Sequence, residues 1–189
     1  MRRLDAALAP HVLFTPRPAA IPRRRQAAAL QGAFGTGIFI AGRKKPMIIK
    51  LERVRVQSRK AEEAINITPK VDDIVEKSGV KNGVVNVMTC HTSSGLLVTE
   101  GIPCLEEDIL SHFSRLLPEE ESYHHRRYLD FDGRLGFNAE SHLKSILGGI
   151  QCTFPIENGK MVRGSRQTIY FMEYDGPLER VYLVQVLGE

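Results

Sequence analysis

The chain has 189 residues, 42% of them hydrophobic, which suffices for one domain around one core. It lacks the roughly 18–20 continuous apolar residues that a membrane-spanning helix needs, and so reads as soluble. Nine of the 26 Lys and Arg and one of the 22 acids fall in residues 1–46, so the net +4 conceals a body of 17 bases and 21 acids at −4, which argues against nucleic acid as a partner.

Residues 1–46 are rich in Ala, Arg, Pro and Gly and hold no sustained period of two or 3.6. They read as a basic disordered leader or as upstream sequence from a mis-set start, with Met47 the natural beginning. An organellar transit peptide and a nucleic-acid-binding basic arm are the alternatives. Patterning starts at Met47. The run "MIIKLERVRVQ" alternates as a half-buried strand does. In "INITPKVDDIVEKSGV" Thr68 is placed to cap a helix, Pro69 to open it and Gly79 to close it. Val71, Ile74 and Val75 form its apolar stripe.

Two strands follow in "NGVVNVMTC" and "GLLVTE", then an amphipathic helix in "PCLEEDILSHFSRLLP" with Leu105, Ile109, Phe113 and Leu116 on one face. Residues 119–139 read as a long loop containing "DFDG". "NAESHLKSILGG" reads as a short helix, and "IQCTFPIEN", "RQTIYFMEY" and "RVYLVQVL" as closing strands. The fold class is therefore α+β, residues 47–189 forming one domain. About three helices accompany a largely antiparallel sheet of about six or seven strands, mostly sequential neighbours.

Three cysteines, Cys90, Cys104 and Cys152, are odd in number and lack CxxC spacing. They speak against a disulfide framework and a thiolate zinc site, and for a reducing, cytoplasmic setting. The chemistry-bearing residues cluster at predicted element ends. His91 ends a strand and is followed by Thr92, Ser93 and Ser94, whose N–H and O–H groups can bind an oxyanion or simply close their own turn. Glu100 ends the next strand, either as an acid with a task or as a solvated one.

"YHHRRY" sets His124 and His125 beside Arg126 and Arg127, and "SHLK" sets His142 and Lys144 near a helix start that favours anions. His91, His125 and His142 could form a three-imidazole metal site, which spacing alone does not establish. Gly164, Ser165 and Gln167 form a polar turn before a strand. The sequence contains no P-loop, dinucleotide fingerprint or nucleophile elbow.

In order, His91-Thr92-Ser93-Ser94, Glu100, Tyr123-x-His125, Ser141-His142-Leu143-Lys144, Pro155-Ile156-x-x-Gly159-Lys160, Gly164-x-x-Gln167 and Glu173 resemble the YjbQ family over residues 47–189. The resemblance implies a homotrimer with histidine-rich pockets near subunit boundaries. The family's proposed activity is weak thiamine-phosphate synthesis, in which a hydroxymethylpyrimidine diphosphate couples to a thiazole phosphate and releases pyrophosphate.

On that resemblance His91, Glu100 and His142 are catalytic. Thr92, Ser93, Ser94, Lys144, Gly164, Ser165 and Gln167 bind a phosphorylated small molecule, and His91, His125 and His142 hold a divalent metal, zinc or magnesium. The sequence departs from the family where Asn-Glu-Asn and a following Asp become Thr99-Glu100-Gly101-Ile102-Pro103, and where Gly-Thr-Trp-Gln becomes Gly164-Ser165-Arg166-Gln167. The loop between His125 and His142 is also longer. These changes imply altered substrate choice, or ligand binding without turnover. A non-catalytic binding protein is thus the alternative to an enzyme, and a purely structural trimer the third reading.

Overall fold

The computed structural model describes residues 46–125 and 137–189. Among these, eight strands and three helices realise the expected α+β class. The strands are β1 (Ile48–Gln57), β2 (Glu63–Asn66), β3 (Gly83–Thr89), β4 (Ser94–Glu100), β5 (Gln151–Glu157), β6 (Lys160–Met161), β7 (Gln167–Glu173) and β8 (Glu179–Gly188). The helices are α1 (Thr68–Ser78), α2 (Pro103–Leu116) and α3 (Ala139–Gly148). The leader expectation, Arg126, Arg127 and the Asp130–Gly133 stretch lie outside the described residues.

The strands divide between two antiparallel sheets, ordered β1-β8-β3-β5-β6 and β2-β7-β4. Only β5 and β6 are hydrogen-bonded sequence neighbours, which corrects the expectation of mostly sequential pairing. The cause is burial. In β7 the run Ile169, Tyr170, Phe171, Met172 is apolar on both faces and is buried throughout, so the strand must lie centrally with cover on each side. Ile169 and Phe171 join Val85, Val87, Tyr182, Val184 and Val186 in the main core between the sheets, and α1 adds Val71, Ile74 and Val75. Each such side chain, fully buried, contributes roughly 1.5–3 kcal/mol. Tyr170 and Met172 face the other way, where Leu97 and the α2 residues Ile109, Leu110 and Phe113 cover them.

Two local expectations change. Thr68 is the first residue of α1 and not its cap, the N-cap being Ile67. The Thr68 hydroxyl instead accepts the Ile169 N–H at 2.8 Å, tying the helix start to β7. Leu116, predicted on the apolar face of α2, is 54% exposed; it is the last residue of the helix, and the α2 contacts to the core are made by Ile109, Leu110 and Phe113. Gly79 does close α1, at φ +80°.

Helix α3 is built inside out. Besides Ala139, its buried residues are Glu140, Ser141, Lys144, Ser145 and Gly148, which recur at helical spacing, while Ile146 and Leu147 lie in solvent. The inward polar stripe is held by specific partners. Ser141 Oγ donates to the Tyr174 carbonyl at 2.6 Å and Ser145 Oγ to the Ser94 carbonyl at 2.6 Å. Gly148 lets the Tyr174 phenol approach the helix, since a Cβ there would lie 2.5 Å from the hydroxyl oxygen.

Candidate functional site at the rim of the two sheets

Inward-facing positions on β8 alternate as Arg180, Tyr182, Val184 and Val186. On β7 they alternate as Ile169, Phe171 and Glu173. Both series therefore end with a charge at the same rim of the sandwich. There Arg180 Nε donates to Glu173 Oε2 at 2.7 Å and Nη2 to Oε1 at 2.7 Å. Glu173 is fully buried and also accepts from Ser58 Oγ and from the backbone N–H groups of Tyr174 and Asp175. Such a pair is tolerated only because both oxygens are satisfied in a bidentate fork.

The connection from β3 to β4, Cys90–Ser93, crosses from one sheet to the other directly over this pair. Ser93 Oγ accepts from Arg180 Nη2 at 3.0 Å, which leaves its own proton free to donate. Thr89 Oγ1 and Ser94 Oγ share a hydrogen bond of 2.6 Å, and the His91 N–H donates to Thr89 Oγ1, so this hydroxyl pair closes the turn. His91 Nε2 accepts the Val181 N–H at 2.9 Å, which commits that nitrogen to the backbone of β8. Burial first, then the Arg180 charge, hold the imidazole below its ordinary 6.5, while Glu173 works in the opposite direction.

The sign of the consequence follows. A histidine depressed in the folded state binds its proton more readily when unfolded, so stability falls as pH drops below about 6.5 and is fully present above it. Denaturant melts between pH 5 and 8 should show this slope in the wild type and a flatter profile in His91→Asn. Equal slopes would remove His91 as the titrating group.

The rim opens on a cavity of about 430 Å³ lined by Thr92, Ser93, His125, Asn138, His142, Asp175, Leu178 and Arg180. The imidazoles of His125 and His142 meet there edge to face, with centroids 5.3 Å apart. His142 Nδ1 lies 3.0 Å from the Thr92 carbonyl, which can only accept, so Nδ1 is the donor in that bond and Nε2 is the nitrogen left to face the cavity. A second cavity of about 520 Å³ shares Thr92, His125 and His142 and adds Tyr123, His124, Ala139 and Leu143. The combined site thus has a polar, hydroxyl-lined end, where Arg180 is paired with Glu173 and Asp175 shares the wall, and a more apolar annex.

Of the residues singled out from sequence, Thr92, Ser93, His125 and His142 come together here. His91 abuts the cluster through β8 without lining either cavity, and Ser94 is buried beneath the turn. Lys144 lies on the opposite side of α3, paired with Glu62. Glu100 sits at the far end of β4, pairing opposite Gln167, six residues and roughly 20 Å from Ser94. It forms an ion pair with the exposed Arg166 at 2.5 Å. Gly164, Ser165 and Gln167 are at that same far end, where Gln167 Oε1 accepts the Gly164 N–H at 2.7 Å and closes the turn. Among the described residues no group of three His, Cys, Asp or Glu is arranged to hold a metal ion. The residues missed from sequence are Arg180, Asn138 and Asp175; Asn138 Nδ2 donates to Asp175 Oδ2 at 2.8 Å.

The profile of the family described as "UPF0047 protein YjbQ-like" matches residues 52–189. A UPF0047 protein of Methanocaldococcus jannaschii is 32% identical over 145 residues, covering 76% of this chain and 99% of that protein. One from Archaeoglobus fulgidus is 38% identical over 132 residues, covering 70% and 97%. In structure, the chain is similar to a YbjQ-like protein of unknown function from Sulfolobus solfataricus, with a TM-score of 0.69, 33% identity, and coverage of 76% of this chain and all of that one. It is also similar to a YjbQ/UPF0047 protein of Clostridium acetobutylicum, with a TM-score of 0.65, 31% identity, and coverage of 71% and 98%.

Proposed function

The chain belongs to the UPF0047 family of YjbQ-like proteins, and on that premise we propose that its rim cavity binds a phosphorylated small molecule and transfers its carbon skeleton with release of diphosphate. The observation that carries this reading is Arg180. It is a buried guanidinium fixed by Glu173 and Ser93, and it lines the cavity beside two imidazoles. A preoriented cation, a hydroxyl donor and a nearby helix start suit a diphosphate leaving group. The annex with Tyr123, Ala139 and Leu143 suits an uncharged ring.

In the thiamine-phosphate form of the reaction, the thiazole nitrogen bonds to the pyrimidine's methylene carbon. The carbon–oxygen bond to diphosphate breaks, and its electron pair leaves with the phosphate. Without a metal, the His142 imidazole is the hydrogen-bonding group on hand for the departing diphosphate. A divalent metal, zinc or magnesium, would be held by His125 and His142, and when bound would supply charge neutralisation for the departing diphosphate.

The same reading makes the protein a homotrimer. Ile146, Leu147 and Ile150 form an exposed apolar surface on and after α3, and α3 also bears His142. Glu100, about 20 Å from the rim within one chain, can join a histidine site only from a neighbouring copy. If it does not, the protein binds without turnover. The engagement of Glu100 with Arg166 favours that second reading.

Isothermal titration with inorganic diphosphate and with hydroxymethylpyrimidine diphosphate, alongside a pyrophosphate-release assay with thiazole phosphate, separates the two. Saturable binding with release that is lost in His142→Gln supports the enzyme. Binding without release supports the binding protein, and absence of binding overturns both. Elemental mass spectrometry of wild type and His142→Ala checks the metal, which should be lost in the variant.

A further inference from the structure

We infer that the ligand of the rim cavity is a zwitterion, a phosphorylated compound whose organic part carries an ammonium group received by Asp175. This rests on the phosphate reading of Arg180 and narrows it. Asp175 and Arg180 line one cavity of about 430 Å³. The Asp175 N–H and Arg180 Nη2 both donate to Glu173 Oε1, at 2.9 and 2.7 Å, so those two nitrogens stand at most 5.6 Å apart. The Asp175 carboxylate and the guanidinium still form no ion pair, because Glu173 takes the guanidinium through both Nε and Nη2.

The charges around the cavity do not cancel. Arg180 is matched by Glu173, and the Lys144 ammonium, across α3, by Glu62. The Asp175 carboxylate has only a neutral partner, Asn138 Nδ2, which donates to Oδ2 at 2.8 Å. Among the described residues the cavity therefore keeps one uncompensated negative charge. A phosphate seated here finds donors in the Ser93 hydroxyl and in Arg180 Nη1, which donates to no described residue, but it is repelled by Asp175. An ammonium on the same ligand turns that repulsion into attraction.

The hydrogen-bond inventory agrees. Asn138 lines the cavity beside Asp175, and its Nδ2, engaged by Asp175, is the only side-chain donor the two residues own. Asn138 Oδ1 is buried without a partner, and Asp175 Oδ1 accepts from no described residue. This corner of the wall is thus short of donors. Water would donate but bring no charge. A metal ion would bring charge but no N–H, and among the described residues no group of three His, Cys, Asp or Glu is arranged to hold one. An ammonium supplies donors and charge together, and Asn138 already fixes the carboxylate that receives it.

The test is calorimetric titration of the full chain with O-phosphorylethanolamine and with ethyl phosphate, which differ by the ammonium, at neutral pH and fixed ionic strength, in wild type and Asp175→Asn. The wild type should bind the zwitterion about tenfold more tightly. In Asp175→Asn the zwitterion should bind about tenfold more weakly, and ethyl phosphate severalfold more tightly because a like charge has gone. A merely structural role for Asp175 would lower both affinities together. Should Asp175→Asn fail to fold, the wild-type preference decides. Equal affinities in the wild type, parallel losses in the variant, or binding of inorganic diphosphate but of neither ester would each overturn the zwitterion and leave the phosphate reading standing. Absence of binding by both esters and by diphosphate would overturn the phosphate reading and the zwitterion with it.

Discussion

Replacing Glu173 by glutamine is expected to destabilise the protein by about 3–5 kcal/mol, the typical loss when one partner of a buried ion pair is removed. Glu173 accepts from five donors, namely Arg180 Nε and Nη2, Ser58 Oγ and the N–H groups of Tyr174 and Asp175. A glutamine keeps the volume but turns one oxygen into a donor that faces other donors, and it leaves the Arg180 charge uncompensated at the rim. For a domain of this size the melting temperature should fall by roughly 10–20 °C. The double variant Glu173→Leu with Arg180→Met should recover most of that loss, because an apolar pair of similar volume carries no desolvation penalty. Guanidinium chloride melts of the wild type and the two variants decide the matter. A single-variant loss below about 1 kcal/mol would mean that the pair is solvated and does not organise the rim.

This pair also marks where reading the sequence stops. The class, the three helices and most strands follow from periodicity. The division into two sheets does not, because pairing β8 between β1 and β3 joins residues 93 to 140 apart, from Thr89 with Tyr182 to Ile48 with Gly188, about which local pattern is silent. Arg180 was legible in principle, as it shares a period-two face with Tyr182, Val184 and Val186, which are all core. A charge on a buried face needs a buried partner, and Glu173 stands on the matching face of β7.

Helical geometry likewise sorts the "SHLK" stretch. His142 and Lys144 are two apart, so they cannot share a face, and the structure sends one to the rim cavity and the other to an ion pair with Glu62. The separation of Glu100 from His91 follows from the length of β4. By contrast, the meeting of His125 with His142 depends on the path of the chain between them, which composition does not encode.

The second large effect concerns ligand affinity. Arg180→Lys keeps a cation against Glu173, so stability should fall far less than in Glu173→Gln. Lysine, however, is a single point of charge on a flexible stem, whereas the guanidinium holds Glu173 and Ser93 at fixed angles while still lining the cavity. If the cavity holds a diphosphate, the variant should bind it about 10- to 100-fold more weakly, the equivalent of one or two charge-assisted hydrogen bonds. Ser93→Ala should weaken binding by less, because Ser93 contributes a neutral donor and a brace for the guanidinium. The comparison separates anchoring from mere charge. A uniform loss in both variants that high salt reproduces would indicate a diffuse field, whereas a loss confined to Arg180→Lys and insensitive to salt indicates a fork aimed at the ligand. Unchanged diphosphate affinity in Arg180→Lys would mean that the rim arginine serves Glu173 alone, and that the anion site must be sought elsewhere on the chain.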